Sequence, residues 1–161
     1  MNLKSNLLLF FVLLFLVSCD KKRVFDEYKV TGESWKKSTA LQFEFDQKDT
    51  VKRYNLFINI RNNNDYPFNN LFVIVDLKRP DGFVKKDTLQ YEMTYPDGTL
   101  LGEGFSDIKE SKLFYKENFR FTQPGKYKIQ IQQANRQTGK VTGVNELLGV
   151  TEVGFRIEST E

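Results

Sequence analysis

LQFEF, residues 41–45, sets Leu41, Phe43 and Phe45 on one side of an extended chain and Gln42 and Glu44 on the other. Such alternation belongs to a strand with one face on a core and one in water. The period recurs along the chain. YNLFINI (54–60) aligns Leu56, Ile58 and Ile60, and TLQYEM (88–93) aligns Leu89, Tyr91 and Met93. FYKENFRF (114–121) alternates with aromatics, KYKIQI (126–131) aligns Tyr127, Ile129 and Ile131, and VGFRI (153–157) aligns Val153, Phe155 and Ile157. LFVIVDL (71–77) is apolar on both faces for most of its length, the pattern of a central strand.

Turn chemistry separates these runs: NNNDYP at 62–67, RPDG at 79–82, YPDG at 95–98, QPG at 123–125 and QTGK at 137–140. Proline pre-sets the second turn position and glycine supplies positive φ, so each P-D-G reverses the chain. Beyond the N-terminal segment no window holds a helical period for more than a turn or two. About seven strands with frequent turns predict an all-β fold, a single antiparallel β-sandwich of immunoglobulin-like or jelly-roll-like type. An aromatic content of 14% suits that core, since large rings fill the gap between two sheets.

The N-terminus has a different character. Leu7 to Val17 is apolar throughout, follows Lys4, and ends in Leu16-Val17-Ser18-Cys19. A positive segment followed by a short apolar run is an export signal, too short to span a bilayer comfortably. Leu16-Val17-Ser18-Cys19 resembles a lipobox, in which the small residue before the cysteine admits the signal peptidase and the thiol forms a thioether to diacylglycerol. Cys19 is the only cysteine in the chain. The expected organisation is a cleaved lipoprotein signal peptide at 1–18, a lipidated N-terminus and tether at 19–40, and a β-sandwich domain at 41–161. The basic triplet Lys21-Lys22-Arg23 stands where it would meet anionic head groups, or serves as a solvated spacer.

Composition excludes much chemistry. Cleavage before Cys19 removes only Lys4 from the charge count, leaving 23 basic and 21 acidic side chains. That balance is no nucleic-acid footprint. The chain has no histidine, which removes serine–histidine and cysteine–histidine nucleophiles and most transition-metal sites. With Cys19 assigned, no intrachain disulfide remains. A carboxylate pair for glycoside hydrolysis stays open in principle, but nothing marks one. No P-loop, dinucleotide fingerprint or GxSxG occurs. The expectation is a non-enzyme with no catalytic residue, cofactor, metal or small-molecule substrate.

Two loops stand out. RNNNDYPFNN (61–70) offers Asn62, Asn63, Asn64, Asp65 and Tyr66 as a partner-binding loop. Calcium would want several carboxylates where this loop has one, and Asn-rich turn chemistry alone accounts for a connection between strands. LLGEGFSD (100–107) brackets Glu103 with glycines, which form a bulge or admit a partner's backbone, and sets Phe105 near a turn. Phe114 and Tyr115 are surface aromatics that could stack on sugar, although alternation always turns one of an adjacent pair outward.

The blocks RVFDEY (23–28), YNLFINIRNNNDYPFNNLF (54–72), YPDGTLLGEGFSD (95–107), QQANR (132–136) and GVTEVGFRIE (149–158) resemble the gliding-motility lipoprotein H family (GldH) of Bacteroidota. The similarity runs from the lipobox almost to the C-terminus. The resemblance implies an envelope lipoprotein needed for gliding, whose machinery is linked to type IX secretion, with other gliding or secretion envelope proteins as partners besides the membrane. It brings no enzymatic motif and supports one functional position, the lipidated Cys19. In relatives that do not glide it leaves room for a broader envelope role. The expected location is the outer membrane facing the periplasm, with the inner membrane and cell surface open. The competing class is a carbohydrate-binding or carbohydrate-processing envelope lipoprotein.

Overall fold

The computed structural model describes residues 21–104, 106–137 and 139–161. The signal segment, Cys19 and Phe105 therefore lie outside the described residues. Ten strands follow in chain order: β1 (Arg23–Val30), β2 (Ser34–Lys36), β3 (Leu41–Gln47), β4 (Tyr54–Asn62), β5 (Asn70–Lys78), β6 (Val84–Glu92), β7 (Lys109–Phe119), β8 (Gly125–Gln133), β9 (Glu146–Leu148) and β10 (Val150–Ser159). Two four-stranded sheets, β1-β10-β4-β7 and β3-β8-β5-β6, face one another, and β2-β9 forms a small ribbon. Every pairing is antiparallel.

The all-β sandwich matches the periodicity, but its first strand begins earlier than the sequence predicts. Residues 23–36, expected in the tether, form β1 and β2, and β1 pairs with β10 from Arg23↔Glu158 to Val30↔Glu152. The physical reason is that β1 is an edge strand. Glu27 and Lys29 pair opposite the core residues Phe155 and Val153, while Tyr28 lies on the outer face, so the strand carries no apolar alternation.

Alternation sends Phe43 and Phe45 of β3, Tyr127 of β8, Phe155 of β10 and Phe121 into the gap between the sheets. Phe155 lies within 6.2 Å of Phe25, Phe43 and Phe45, and Phe45 stacks on Tyr127 at 5.8 Å. Trp35 of β2 is fully buried and donates its indole N–H to the Thr39 carbonyl at 3.0 Å. The two central strands differ from expectation. β5 is interior to its sheet, yet its outward Phe72 and Ile74 are only half-buried. β4 is the strand covered on both sides, with outward Phe57 and Asn59 at 3% and 2% exposure.

The seam between β6 and β7 is closed by polar contacts. Tyr115 Oη and Lys116 Nζ donate to Asp87 Oδ2 at 2.9 and 2.8 Å, and Tyr91 Oη donates to the Phe114 carbonyl at 2.7 Å. Burial pulls the Asp87 carboxyl up, but Lys116 and Tyr115 outweigh it and hold the group below the usual carboxylate range.

The two ends of the sandwich carry different segments. At one end β1 begins, β10 and β7 finish, and β4 begins, with Ser159 opposite Tyr54 and Tyr54 opposite Phe119. The β3–β4, β5–β6 and β7–β8 connections share that end, because Gln47 faces Gly125 and Lys78 faces Val84. The opposite end carries residues 31–40, 63–69, 93–104, 106–108 and the β8–β10 connection.

Phe155→Ala should cost about 3–5 kcal/mol, the range for deleting a buried ring, read as a lower urea midpoint at unchanged slope. Because the folded pKa of Asp87 lies below its unfolded value, its stabilisation is complete above the usual carboxylate range and is lost as pH falls. The urea midpoint of Asp87→Asn should therefore decline less steeply than the parent's between about pH 5 and about pH 3.

Candidate functional site

The outer face of β1-β10-β4-β7 holds an ordered charged cluster. Arg61 of β4 lies between β10 and β7, and its Nε donates to Glu110 Oε2 at 2.7 Å while Nη1 donates to Glu152 Oε2. Its guanidinium sits 4.3 Å from the centroid of the Tyr28 ring. Tyr28 donates to Glu110 Oε1 and accepts from Asn59 Nδ2, at 2.9 and 2.8 Å. Tyr28 can cross β10 because its partner there is Gly154, where a Cβ would come 2.8 Å from the ring. Burial, then the hydrogen bond to Glu110 and its charge, push the Tyr28 phenol up to about 12. The hydrogen bond to Glu110 likewise raises the Arg61 pKa, fixing it as a cation.

A second chain of charges runs beside it. Arg156 bonds Asp26 at 2.7 Å and Glu158 at 2.6 Å, and Lys112 bonds Glu158 at 2.7 Å. Lys112 also lies 4.2 Å from the Phe57 centroid, and Phe114 packs on Phe57 at 4.5 Å. Burial lifts the Glu158 carboxyl, but Lys112 and Arg156 outweigh it and bring it below its ordinary range. These groups form a lid over β4, which explains how an outward Phe57 and Asn59 come to be buried. The arrangement is built to hold shape. Each carboxylate of the cluster is engaged by a cation.

The 62–66 loop lies at the end opposite the start of β1. Asn62 and Tyr66 are buried at 0% and 6% exposure. Tyr66 donates its hydroxyl to the Asn70 carbonyl at 2.7 Å, which pins the loop. Gly149, at φ +76°, backs against it, and a Cβ there would sit 2.3 Å from the Tyr66 nitrogen. Asn63 Oδ1 accepts from the Asp65 N–H at 3.0 Å, an Asx turn. Of the five candidate residues, Asn64 and Asp65 are exposed. Among the described residues no group of three or more metal-ligating side chains is assembled.

The glycine pair closes on the chain itself. Glu103 and Glu110 exchange backbone hydrogen bonds at 2.8 Å, and a Cβ on Gly102 would lie 2.7 Å from the Glu110 carbonyl oxygen. The glycines thus serve a close approach to β7. An open cleft of about 810 Å³ beside it is lined by Tyr95, Leu101, Glu103, Glu110 and Lys112, among others. Tyr115 is buried and engaged by Asp87, so of the adjacent pair only Phe114 is exposed. Phe83, Tyr95 and Phe114 are the exposed aromatics among the described residues, and no two of these rings touch. They form no shared platform for a sugar.

The cluster around Arg61 was not legible in the sequence, because its members run from Tyr28 to Glu152 and only strand register joins them. Arg61→Ala should lower stability by about 1–2 kcal/mol, since it leaves two facing carboxylates without their shared cation. Arg61→Lys should recover less than half of that loss, because an ammonium lacks the planar fork that spans both acids. Urea denaturation of the two variants reads the difference.

Comparison with known proteins bears on function. A sequence model described as GldH lipoprotein matches residues 23–157. The chain is 55% identical over 161 residues to gliding motility lipoprotein GldH of Flavobacterium johnsoniae, covering all of both chains. It is 54% identical over 157 residues to a gliding motility lipoprotein GldH homolog of Christiangramia forsetii, covering 98% of this chain and 96% of that one. Among solved structures, a family GH115 4-O-methyl-alpha-glucuronidase superposes with a TM-score of 0.47 at 14% identity, over 89% of this chain and 18% of the enzyme's. The extent of the first three matches decides the matter: the chain belongs to the GldH lipoprotein family.

Proposed function

We propose that this chain is a lipid-anchored, non-catalytic component of the gliding motility machinery, linked to type IX secretion, that binds or stabilises other envelope proteins. The observation that carries this reading is the 55% identity over the whole chain to a protein named for gliding motility, a match whose span takes in the segment ending in Cys19. In this account the signal peptide 1–18 is removed and Cys19 becomes the acylated N-terminus. The anchor lies in the outer membrane, facing the periplasm. A single acyl chain holds a protein only marginally, whereas several hold it stably, and a bacterial lipoprotein carries several.

The non-catalytic reading draws on the chain's own chemistry. It contains no histidine, and the carboxylates of the outer face are tied into ion pairs. The partner-facing end is the one that carries Asn64 and Asp65, whose neighbour Tyr66 pins the loop from within. A partner would meet a pre-shaped loop there and would not have to order it.

Cells whose only copy carries Cys19→Ala should release the protein from the envelope fraction and fail to spread on agar. Normal spreading by such cells, with the protein soluble, would defeat the reading. Paired Asn64→Arg and Asp65→Arg substitutions should leave the protein in the envelope and still reduce spreading, separating the partner surface from the anchor.

A further inference from the structure

The near-neutral balance of the chain hides a separation of charge along the strand axis. At the end where β1 begins, the segments 21–23, 48–53, 79–83, 120–124 and 160–161 hold eight basic side chains against three carboxylates. At the opposite end, the segments 31–40, 63–69, 93–104, 106–108, 134–137 and 139–149 hold four basic side chains against six carboxylates. The basic end also exposes apolar side chains. Val51, in the β3–β4 connection, is 80% exposed, and Phe83 and Val84, at the β5–β6 turn, are 54% and 46% exposed. Arg79 lies 4.5 Å from the centroid of the Phe83 ring, so cation and apolar surface are presented together.

The chain leaves the body at this same end. Arg23 pairs with Glu158, and the Ser159 N–H donates to the Lys22 carbonyl at 2.8 Å, so the body is fixed up to residue 22. Three residues separate Cys19 from Arg23. Even fully extended, the four steps from one to the other reach no more than about 14 Å, at about 3.3–3.6 Å per residue.

We infer that the basic, apolar-tipped end of the sandwich docks on the surface of an anionic phospholipid bilayer, with the β3–β4 and β5–β6 loop tips entering the head-group layer and the acidic end directed away from it. This rests on the acylation of Cys19 proposed above for the closeness of the bilayer, while the charge separation and loop tips stand on the fold itself. Cations near an anionic lipid surface are attracted over a Debye length, and aromatic and aliphatic tips partition into its interface. The tether limits the separation to a distance at which both effects operate. Anchoring and docking are thus separate: the lipid fixes the chain to any bilayer, and the basic end responds to its charge.

The test uses the full lipoprotein, purified from membranes and reconstituted into vesicles of phosphatidylcholine alone or with phosphatidylglycerol. With Cys19 acylated, an introduced cysteine is the only free thiol. Val51→Cys, carrying an environment-sensitive fluorophore, reports the basic end, and Val141→Cys, 88% exposed between β8 and β9, reports the opposite one. Emission from position 51 should shift to the blue and rise about twofold or more when phosphatidylglycerol is included, and position 141 should not respond. High salt and the combined Lys48→Glu, Lys52→Glu, Arg120→Glu variant should abolish the response while the protein still floats with the vesicles. Water-like emission from position 51 in both vesicles would overturn the docking, as would equal responses from both positions. Failure of the parent protein to float with uncharged vesicles would instead strike the anchor, and the two failures are therefore distinguishable.

Discussion

The architecture depends on one covalent constraint, the shortness of the link between Cys19 and the first hydrogen-bonded residue of β1. Edge strands are usually free to fray, and a tether ending in one could be long and loose. Here β1 is zipped to β10 along its length, and Lys22 and Ser159 extend the ladder beyond the last paired strand residues. With a lipid on Cys19, whatever lies at the start of β1 lies at the bilayer. A sandwich strand of eight residues rises about 27 Å, at about 3.4 Å per residue, so the opposite loops stand well clear of the membrane. In the proposed docking, orientation follows from connectivity and strand length.

The sheet that contains β1 has a cross-braced outer surface. A solvated sheet face normally alternates apolar-in and polar-out, with the polar side chains moving freely. On β1-β10-β4-β7 the polar side chains are cross-braced by Arg61, Arg156 and Lys112 into a lid that buries Phe57 and Asn59. Exposed ion pairs contribute little individually, but a network spanning all four strands resists the sliding of one strand past another. Across the sandwich, the Asp87–Tyr115–Lys116 contact performs the related task of closing the β6–β7 seam. Both devices stiffen a body whose proposed work is to hold a surface in place.

Much of this was legible in the sequence, and the parts that were not share a cause. β3, β8 and β10 bury one clean face each, and their alternation in LQFEF, KYKIQI and VGFRI reports it directly. The P-D-G turns fall between strands as their chemistry requires, with positive φ at Gly82 and Gly98. β1 escaped notice because charged edge residues replace half of its apolar set, and β2 and β9 are too short for a period to register. The contrast between β4 and β5 was hidden for another reason. Whether an outward Phe is covered depends on neighbouring strands, and Lys112 and Phe114, which cover Phe57, arrive from β7 more than fifty residues later. Likewise the 62–66 loop reads as five polar or amphipathic residues in a row, yet the fold turns Asn62 and Tyr66 inward and leaves Asn64 and Asp65 outside. Local chemistry is written in the sequence; coverage is decided by register.

The most direct check on the account is the mass of the N-terminal peptide of the protein isolated from native membranes. The account predicts a chain beginning at Cys19 whose sulfur carries a diacylglyceryl thioether. A mature chain starting elsewhere, or Cys19 recovered as an unmodified thiol, would contradict it.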